Sequence, residues 1–291
     1  MNLNTRNKLN INRKAIIVAG GLGKRLKPLT SAISKQLMPV YDKPMIYYPL
    51  STLMLCGIRD ILIVTTKDHE ELFKRLLGDG NQWGIKLSYA IQNKPEGIAQ
   101  AILIGKEFLG DSHLALALGD NLFHGNDLLS LLNSANSRIK GSTIFAYSVR
   151  NPHEYGVVGF DETGSVSSIE EKPDNPVSNY AITGLYFYDN TVVEKANKLN
   201  FSSRGELEIT SLNKLYLDEK NLFVKLMGRG LAWFDTGNFD SLLEAGSYIR
   251  TLEGRQGLKV GCPEEISWRN KWISNDQLVK LSIPLMNSGY G

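Results

Sequence analysis

Short apolar runs alternate with longer mixed stretches along the first half of the chain. Lys14–Ala19 (KAIIVA) is rich in β-branched residues and runs straight into glycine. Apolar without a polar alternate, it predicts a strand buried on both faces, as in a parallel sheet. Ile61–Thr65 (ILIVT), Leu114–Leu118 (LALAL) and Ile144–Val149 (IFAYSV) read the same way. Helices are predicted between them. Pro44–Cys56 opens with proline in the first turn and closes on Gly57, the usual asymmetry of helix ends. Asp68–Leu77 opens with a capping aspartate, and Pro95–Leu109 carries Ile98, Ala101, Ile102 and Gly105 at helical spacing. Strands alternating with helices predict a parallel sheet covered on both faces.

The second half changes rhythm. Gly156–Phe160, Val166–Glu170 and Ala181–Tyr188 are closely spaced strands joined by turns such as Asp161–Gly164, and they predict antiparallel additions to the sheet. Helical patterns return at Leu207–Leu217, Phe239–Leu252 and Pro263–Ile283. The expectation is one α/β domain over 14–291, with a Rossmann-like, mixed but mostly parallel sheet flanked by helices. Residues 1–13 are expected to form a flexible N-terminal arm, and 255–291 a C-terminal helical appendage.

Composition narrows the classes. With 42% hydrophobic and 22% charged residues over 291 positions, the chain can bury a large core without metal or disulfide staples. A net charge of +3, with Lys and Arg scattered, gives no footprint for nucleic acid. Cys56 and Cys262 are too few for a disulfide framework, and four scattered histidines show no zinc-ligand spacing. No apolar stretch reaches membrane-spanning length, and Met1–Arg13 is asparagine-rich without the apolar core of a secretory signal. A cytoplasmic location is the expectation.

The candidate chemistry begins where the first strand ends, at Gly20-Gly21-Leu22-Gly23-Lys24-Arg25-Leu26-Lys27-Pro28-Leu29-Thr30. A glycine loop there lets backbone N–H groups close on phosphate oxygens. The dinucleotide fingerprint fails, because its third glycine position is Leu26. The P-loop fails too, because Gly23-Lys24 is followed by Arg25 and its upstream glycine position is Val18. Arg25 and Lys35 put two cations beside a phosphate-sized nest, which suits the charge gathering on a leaving pyrophosphate.

This string resembles the signature of the nucleotidylyltransferases that act on sugar 1-phosphates. Ser34–Tyr48, Gly119–Asn121, Glu170–Pro173, Thr183–Asp189, Gly205–Thr210 and Trp233–Gly237 follow in the order that family shows. The likeness covers roughly residues 14 to 290; the N-terminal arm is longer than the family usually carries. The branch most similar uses dTTP and glucose 1-phosphate. A uridylyl- or cytidylyltransferase, or a non-catalytic nucleotide-sugar sensor, is the alternative. Uridylyl relatives usually carry Gly-His where this chain has Ala99-Gln100.

By position alone Asp120, after the run Leu114–Leu118, is either a metal ligand or a helix cap. The resemblance implies that Asp120 and Asp235 together hold Mg²⁺, a cation content with one or two carboxylates plus phosphates. It implies direct attack of the sugar phosphate on the α-phosphorus of dTTP, with Arg25, Lys35 and Lys172 supplying charge. Gly20, Gly21, Gln92 and Gly97, with Arg25 and Lys35, are the implied nucleotide-binding set; the Gln92 amide can meet a pyrimidine edge. Asn121, Gly156, Glu171, Lys172, Tyr186 and Arg204 are the implied sugar-phosphate set. The resemblance further implies a homotetramer with Pro263–Ile283 at its contacts, and end-product feedback at a second nucleotide site.

Overall fold

A computed structural model describes residues 11–291. The expected arm falls mostly outside them, but its last residue does not: strand β1 is Arg13–Ala19. The Arg13 guanidinium is buried and donates to the carbonyls of Leu114, Tyr188 and Arg138, each at 2.9 Å. Burial lowers its pKa to about 10, and a ring of carbonyl acceptors is what allows a cation to stay there. Arg13 thus belongs to the domain rather than to an arm.

The remaining strands are β2 (Pro39–Val40), β3 (Lys43–Pro44), β4 (Asp60–Thr65), β5 (Lys86–Ile91), β6 (His113–Leu118), β7 (Asn121–Gly125), β8 (Ser142–Ser148), β9 (Gly156–Phe160), β10 (Val166–Glu171), β11 (Tyr180–Tyr188), β12 (Leu222–Met227) and β13 (Leu231–Asp235). Helices are α1 (Tyr47–Leu55), α2 (Glu70–Leu77), α3 (Gln100–Ile104), α4 (Lys106–Leu109), α5 (Leu128–Asn136), α6 (Val192–Ala196), α7 (Ile209–Asp218), α8 (Phe239–Gln256), α9 (Pro263–Arg269) and α10 (Asn275–Ser282).

Nine strands form the main sheet, in the order β10-β9-β11-β6-β1-β4-β5, with β8 on β11 and β12 on β8. β5, β4, β1 and β6 are parallel, with Ile17 between Ile63 and Ala117. β11 then runs antiparallel against β6 and β8, and β12 is parallel to β8. The sheet is therefore mixed, as the close spacing of the later strands predicts, and β8 sits beyond β11 rather than within the parallel set.

Alternate residues of β1 explain the layers. Ala15, Ile17 and Ala19 pack under α1, α2 and α5, while Ile16 packs against α3, α6 and α7. Each fully buried Ile or Leu contributes roughly 1.5–3 kcal/mol of hydrophobic stabilisation. A smaller cluster of Val40, Met45, Tyr48, Leu122, Ala245 and Ile249 clamps α8 onto β2, β7 and the start of α1.

Several boundaries move for physical reasons. The helix expected over Pro95–Leu109 starts only at Gln100, because residues 96–99 are tied to Leu207. The Leu207 N–H donates to the Glu96 carbonyl at 2.8 Å, and the Ala99 N–H to the Leu207 carbonyl at 3.2 Å. Asp68 does not cap α2, which starts at Glu70 without a side-chain cap. β2, β3, β5, β7, β12, α5 and α6 are additions to the predicted set. The appendage takes only the last residues of α8, then α9 and α10. It is fastened to the body, since Trp83 Nε1 donates to Glu264 Oε1 at 3.0 Å. No helix among the described residues is long and apolar enough to cross a membrane.

Candidate active site

The C-terminal ends of β1 and β6 lie side by side, at the edge where open α/β sheets bind ligands. Gly23 has φ +58°, a left-handed turn natural to glycine, and its carbonyl accepts from Thr30 Oγ1 at 2.8 Å. Lys35 crosses this loop, its Cε only 3.7 Å from where a Cβ on Gly21 would stand. Its ammonium ends on Asp120 Oδ2 in a close ion pair. Gly119 lets Asp120 sit this low, because a Cβ there would come within 2.8 Å of the Val18 carbonyl.

Asp235 reaches the same corner through β13, which pairs antiparallel with β7 so that Asp235 lies opposite Asn121. Thr236, 116 positions from Asp120, locks the junction: its Oγ1 donates to the Asp120 carbonyl at 2.7 Å and its N–H to the same oxygen at 3.1 Å. Arg25 joins them. Its Nη2 lies 2.5 Å from where a Cβ on Gly237 would be, and that point is 3.3 Å from Asp235 Oδ1.

The two carboxylates titrate apart. Burial opposes charge on Asp120, but Lys35 and the Asn121 amide more than offset it and hold the carboxyl below its ordinary range. Burial and the neighbouring Asp120 charge push Asp235 up to about 6, although Lys35, Arg25 and Lys172 pull the other way. Burial also disfavours the Lys35 ammonium, yet Asp120 raises its pKa overall. Asp235 has no ion pair within 4 Å among the described residues. Two crowded carboxylates, one reluctant to ionise, fit a divalent cation that would settle both.

Asn121 lies behind this corner. It is buried, its Nδ2 donates to Asp120 Oδ1 at 3.1 Å, and its Oδ1 accepts from the Gly184 N–H at 2.9 Å and Trp233 Nε1 at 2.6 Å. Its geometry is that of a support for Asp120 rather than of a hand reaching for sugar. Trp233 and Thr236 are further supports, and only their place inside WFDTG marks them in the sequence.

On the far side, Glu171 pairs in register with Gly156 across β9 and β10. Glu171 Oε2 accepts from Thr210 Oγ1 at 2.5 Å, and Oε1 lies 3.5 Å from Arg204 Nη1. Arg204 is half-exposed and also meets Glu206 at 2.6 Å and Glu208 at 3.3 Å. Lys172 holds φ +44°, costly for a residue with a side chain; its charge is felt at Asp235. Tyr186 belongs to the core by its ring, stacked on Tyr188 at 6.2 Å. Burial and the charges of Glu171, Asp235 and Asp120 raise its phenol pKa.

Gln92 closes the third side. It is buried, and a Cβ on Gly20 would collide with its Oε1. Its Nε2 donates to Gln100 Oε1 at 2.5 Å. Gly97, with φ +106°, has its own structural reason: a Cβ would strike the Leu207 backbone. The cleft therefore joins a glycine loop with two cations, a carboxylate pair, an acidic–basic rim and a buried amide.

Such a cleft on such a sheet defines a phosphate-handling α/β transferase. The sequence profile of the nucleotidyl transferase family matches residues 14–251, and the chain belongs to that family. It is 56% identical over 278 residues to a glucose-1-phosphate thymidylyltransferase of Mycolicibacterium smegmatis, covering 96% of both chains. It is 55% identical over 279 residues to the enzyme of that name from Xanthomonas campestris, covering 96% of this chain and 95% of the relative. A Bacillus anthracis crystal structure described under the same activity, with sucrose bound, superposes at TM-score 0.76 and 38% identity, covering 82% of this chain and 95% of the other. A UDP-glucose pyrophosphorylase solved with UDP-glucose reaches TM-score 0.72 at 24% identity, covering 83% and 100%, a likeness of fold.

Proposed function

We propose that the protein transfers a thymidylyl group from dTTP to α-D-glucose 1-phosphate, giving dTDP-glucose and pyrophosphate. The observation that carries this reading is the Asp120–Asp235 corner, set beside Lys35 and Arg25 at the mouth of a glycine loop. A phosphate oxygen of the sugar forms a bond to the α-phosphorus, and the bond from that phosphorus to the pyrophosphate oxygen breaks. In-line transfer of this kind needs positioning and charge neutralisation more than a covalent nucleophile.

Asp120 and Asp235 would hold Mg²⁺, which when bound offsets negative charge on the phosphates. Arg25 and Lys35 face the leaving side, where charge accumulates. Lys172 and Arg204 take the sugar phosphate; Arg204 exchanges one of its three carboxylate partners for it. Glu171 accepts from hexose hydroxyls, over the small floor that Gly156 leaves. Gln92 meets the base. Exposed apolar residues on the C-terminal segment, Val279 and Ile283 among them, support assembly into a homotetramer through that segment.

Purified protein given Mg²⁺, glucose 1-phosphate and each nucleoside triphosphate in turn tests this by pyrophosphate release. dTTP should be the best substrate. UTP should be roughly 10–200-fold worse at most, the worth of one methyl. Purine triphosphates should be poor. ATP or GTP turning over as well as dTTP, or no release with dTTP, would overturn the reading.

A further inference from the structure

Gln92 is not free to choose which end of its amide faces the cleft. Gln100, the first residue of α3, is fixed by groups of unambiguous sign. Its Oε1 accepts from the Glu96 backbone N–H at 3.2 Å, and its Nε2 donates to Glu96 Oε2 at 2.7 Å. A backbone N–H only donates and a carboxylate only accepts, so the Gln100 amide has one orientation. Its Oε1 then calls for a donor, and Gln92 Nε2 supplies it at 2.5 Å. The same Nε2 points at the Gly97 carbonyl, 3.4 Å away, another acceptor. A flipped Gln92 would press its own oxygen against both. The atom left over is Gln92 Oε1, lying against Gly20 where a side chain has no room.

We propose that Gln100, braced by Glu96, is a positioning residue that locks the Gln92 amide oxygen toward the nucleotide base and so selects pyrimidines with an N3–H. Thymine and uracil offer that proton. Cytosine offers a lone pair at N3, and two facing acceptors leave a desolvated group unpaired. The inference rests on the thymidylyl-transfer reading and adds the device that sets its base preference. It also separates two roles along one loop: Gly97 shapes the chain against Leu207, and Gln100 sets the polarity of what the loop presents.

The decisive comparison is Gln100→Met against Gln100→Glu, with kcat/KM measured for dTTP, UTP and dCTP on glucose 1-phosphate. Binding of each nucleotide is titrated alongside by calorimetry, and melting temperature is recorded. Gln100→Met removes the acceptor but keeps the bulk, so the dTTP-to-dCTP ratio should fall by about tenfold, the worth of one buried hydrogen bond. The dTTP-to-UTP ratio should hold, because the methyl is not read here. Gln100→Glu, made together with Glu96→Gln so that an amide again donates between positions 96 and 100, keeps an acceptor for Gln92 and should retain most of the native ratio. A well-folded Gln100→Met protein with an unchanged dTTP-to-dCTP ratio, or with equal losses on both nucleotides, would overturn the proposal. If Gln100→Met does not fold, Glu96→Ala removes the brace from a half-buried loop, and a ratio it leaves unchanged has the same force. Failure of the native protein to use dTTP at all would instead sink the transfer reading, and would show in the unmutated control.

Discussion

Two of the charge clusters among the described residues solve opposite problems. Lys43 is buried between Asp42, at 2.5 Å, and Glu253, at 2.9 Å. Lys259 repeats the pattern, 2.5 Å from Asp42 and 3.2 Å from Glu253, and adds the Gly289 carbonyl at 2.7 Å. Two ammonium groups meet two carboxylates and every charge is answered. Burial would raise the Asp42 carboxyl, but Lys259 and Lys43 bring it below its ordinary range. At the other corner Lys35 is committed to Asp120, and Asp235 is left short of a partner with its carboxyl near 6. A closed cluster fastens α8 and the C-terminal tail to the β2–β3 hairpin. The open one leaves the Asp235 carboxylate without an ion-pair partner among the described residues. Buried ion pairs are poor evidence of stability by themselves; what distinguishes these two is whether any charge remains unanswered.

Substitution should separate them most sharply at the open corner. Asp120→Asn and Asp235→Asn keep shape and lose charge, and each should lower turnover at least 10²–10³-fold, as for other charge-stabilising groups. The double variant should cost little more than the worse single one, because groups acting as a unit are not additive. Folded Asp235→Asn protein with near-native turnover at low Mg²⁺ would reduce that aspartate to a structural residue.

Stability should respond in the reverse sense. Lys43→Met leaves Asp42 and Glu253 to share the one ammonium of Lys259 and should cost no more than about 3–5 kcal/mol, the loss for a buried charge left wholly unpaired, read in urea unfolding, with turnover per folded molecule preserved. For Asp235 the sign follows from its raised carboxyl. The group favours the fold when protonated, below pH 4, and that contribution is lost as pH rises through about 6. Ligand-free Asp235→Asn should therefore gain on the native protein between pH 4 and 6 and hold the gain above. No gain at pH 8, or a loss as large as that of Lys43→Met, would place both clusters in one class.

The smallest effect belongs to the rim. Glu171→Ala should raise KM for glucose 1-phosphate roughly tenfold, the worth of a hydrogen bond to a charged group, with dTTP binding nearly unchanged. Equal losses on both substrates would mean that Glu171 holds the cleft's shape through Thr210 and Arg204 instead.

Much of this was readable before any fold. The apolar runs that became β1, β4 and β6 needed no partner to be seen, because burial on both faces leaves an unbroken apolar string. The glycine loop with Arg25 and Lys35 was likewise local. The resemblance places Asn121 among the sugar-phosphate ligands; its amide oxygen accepts from Gly184 and from Trp233, the latter 112 positions away, contacts that no local pattern announces. Gln100 was visible only as a letter that differs from relatives.

The chain by itself determined which segments would be buried strands, where backbone could approach a phosphate, and which cations stood ready beside it. The tertiary structure alone decided that β11 enters antiparallel between β6 and β8, that Asp235 lies across from Asn121, and that the Gln92 amide nitrogen is turned to Gln100. The reason is one of range. Hydrophobic period and glycine geometry are properties of a few consecutive residues, whereas strand register and amide orientation are fixed by partners far along the chain. A ladder between β7 and β13, two short strands of mixed polarity, leaves no periodic trace from which to pair them.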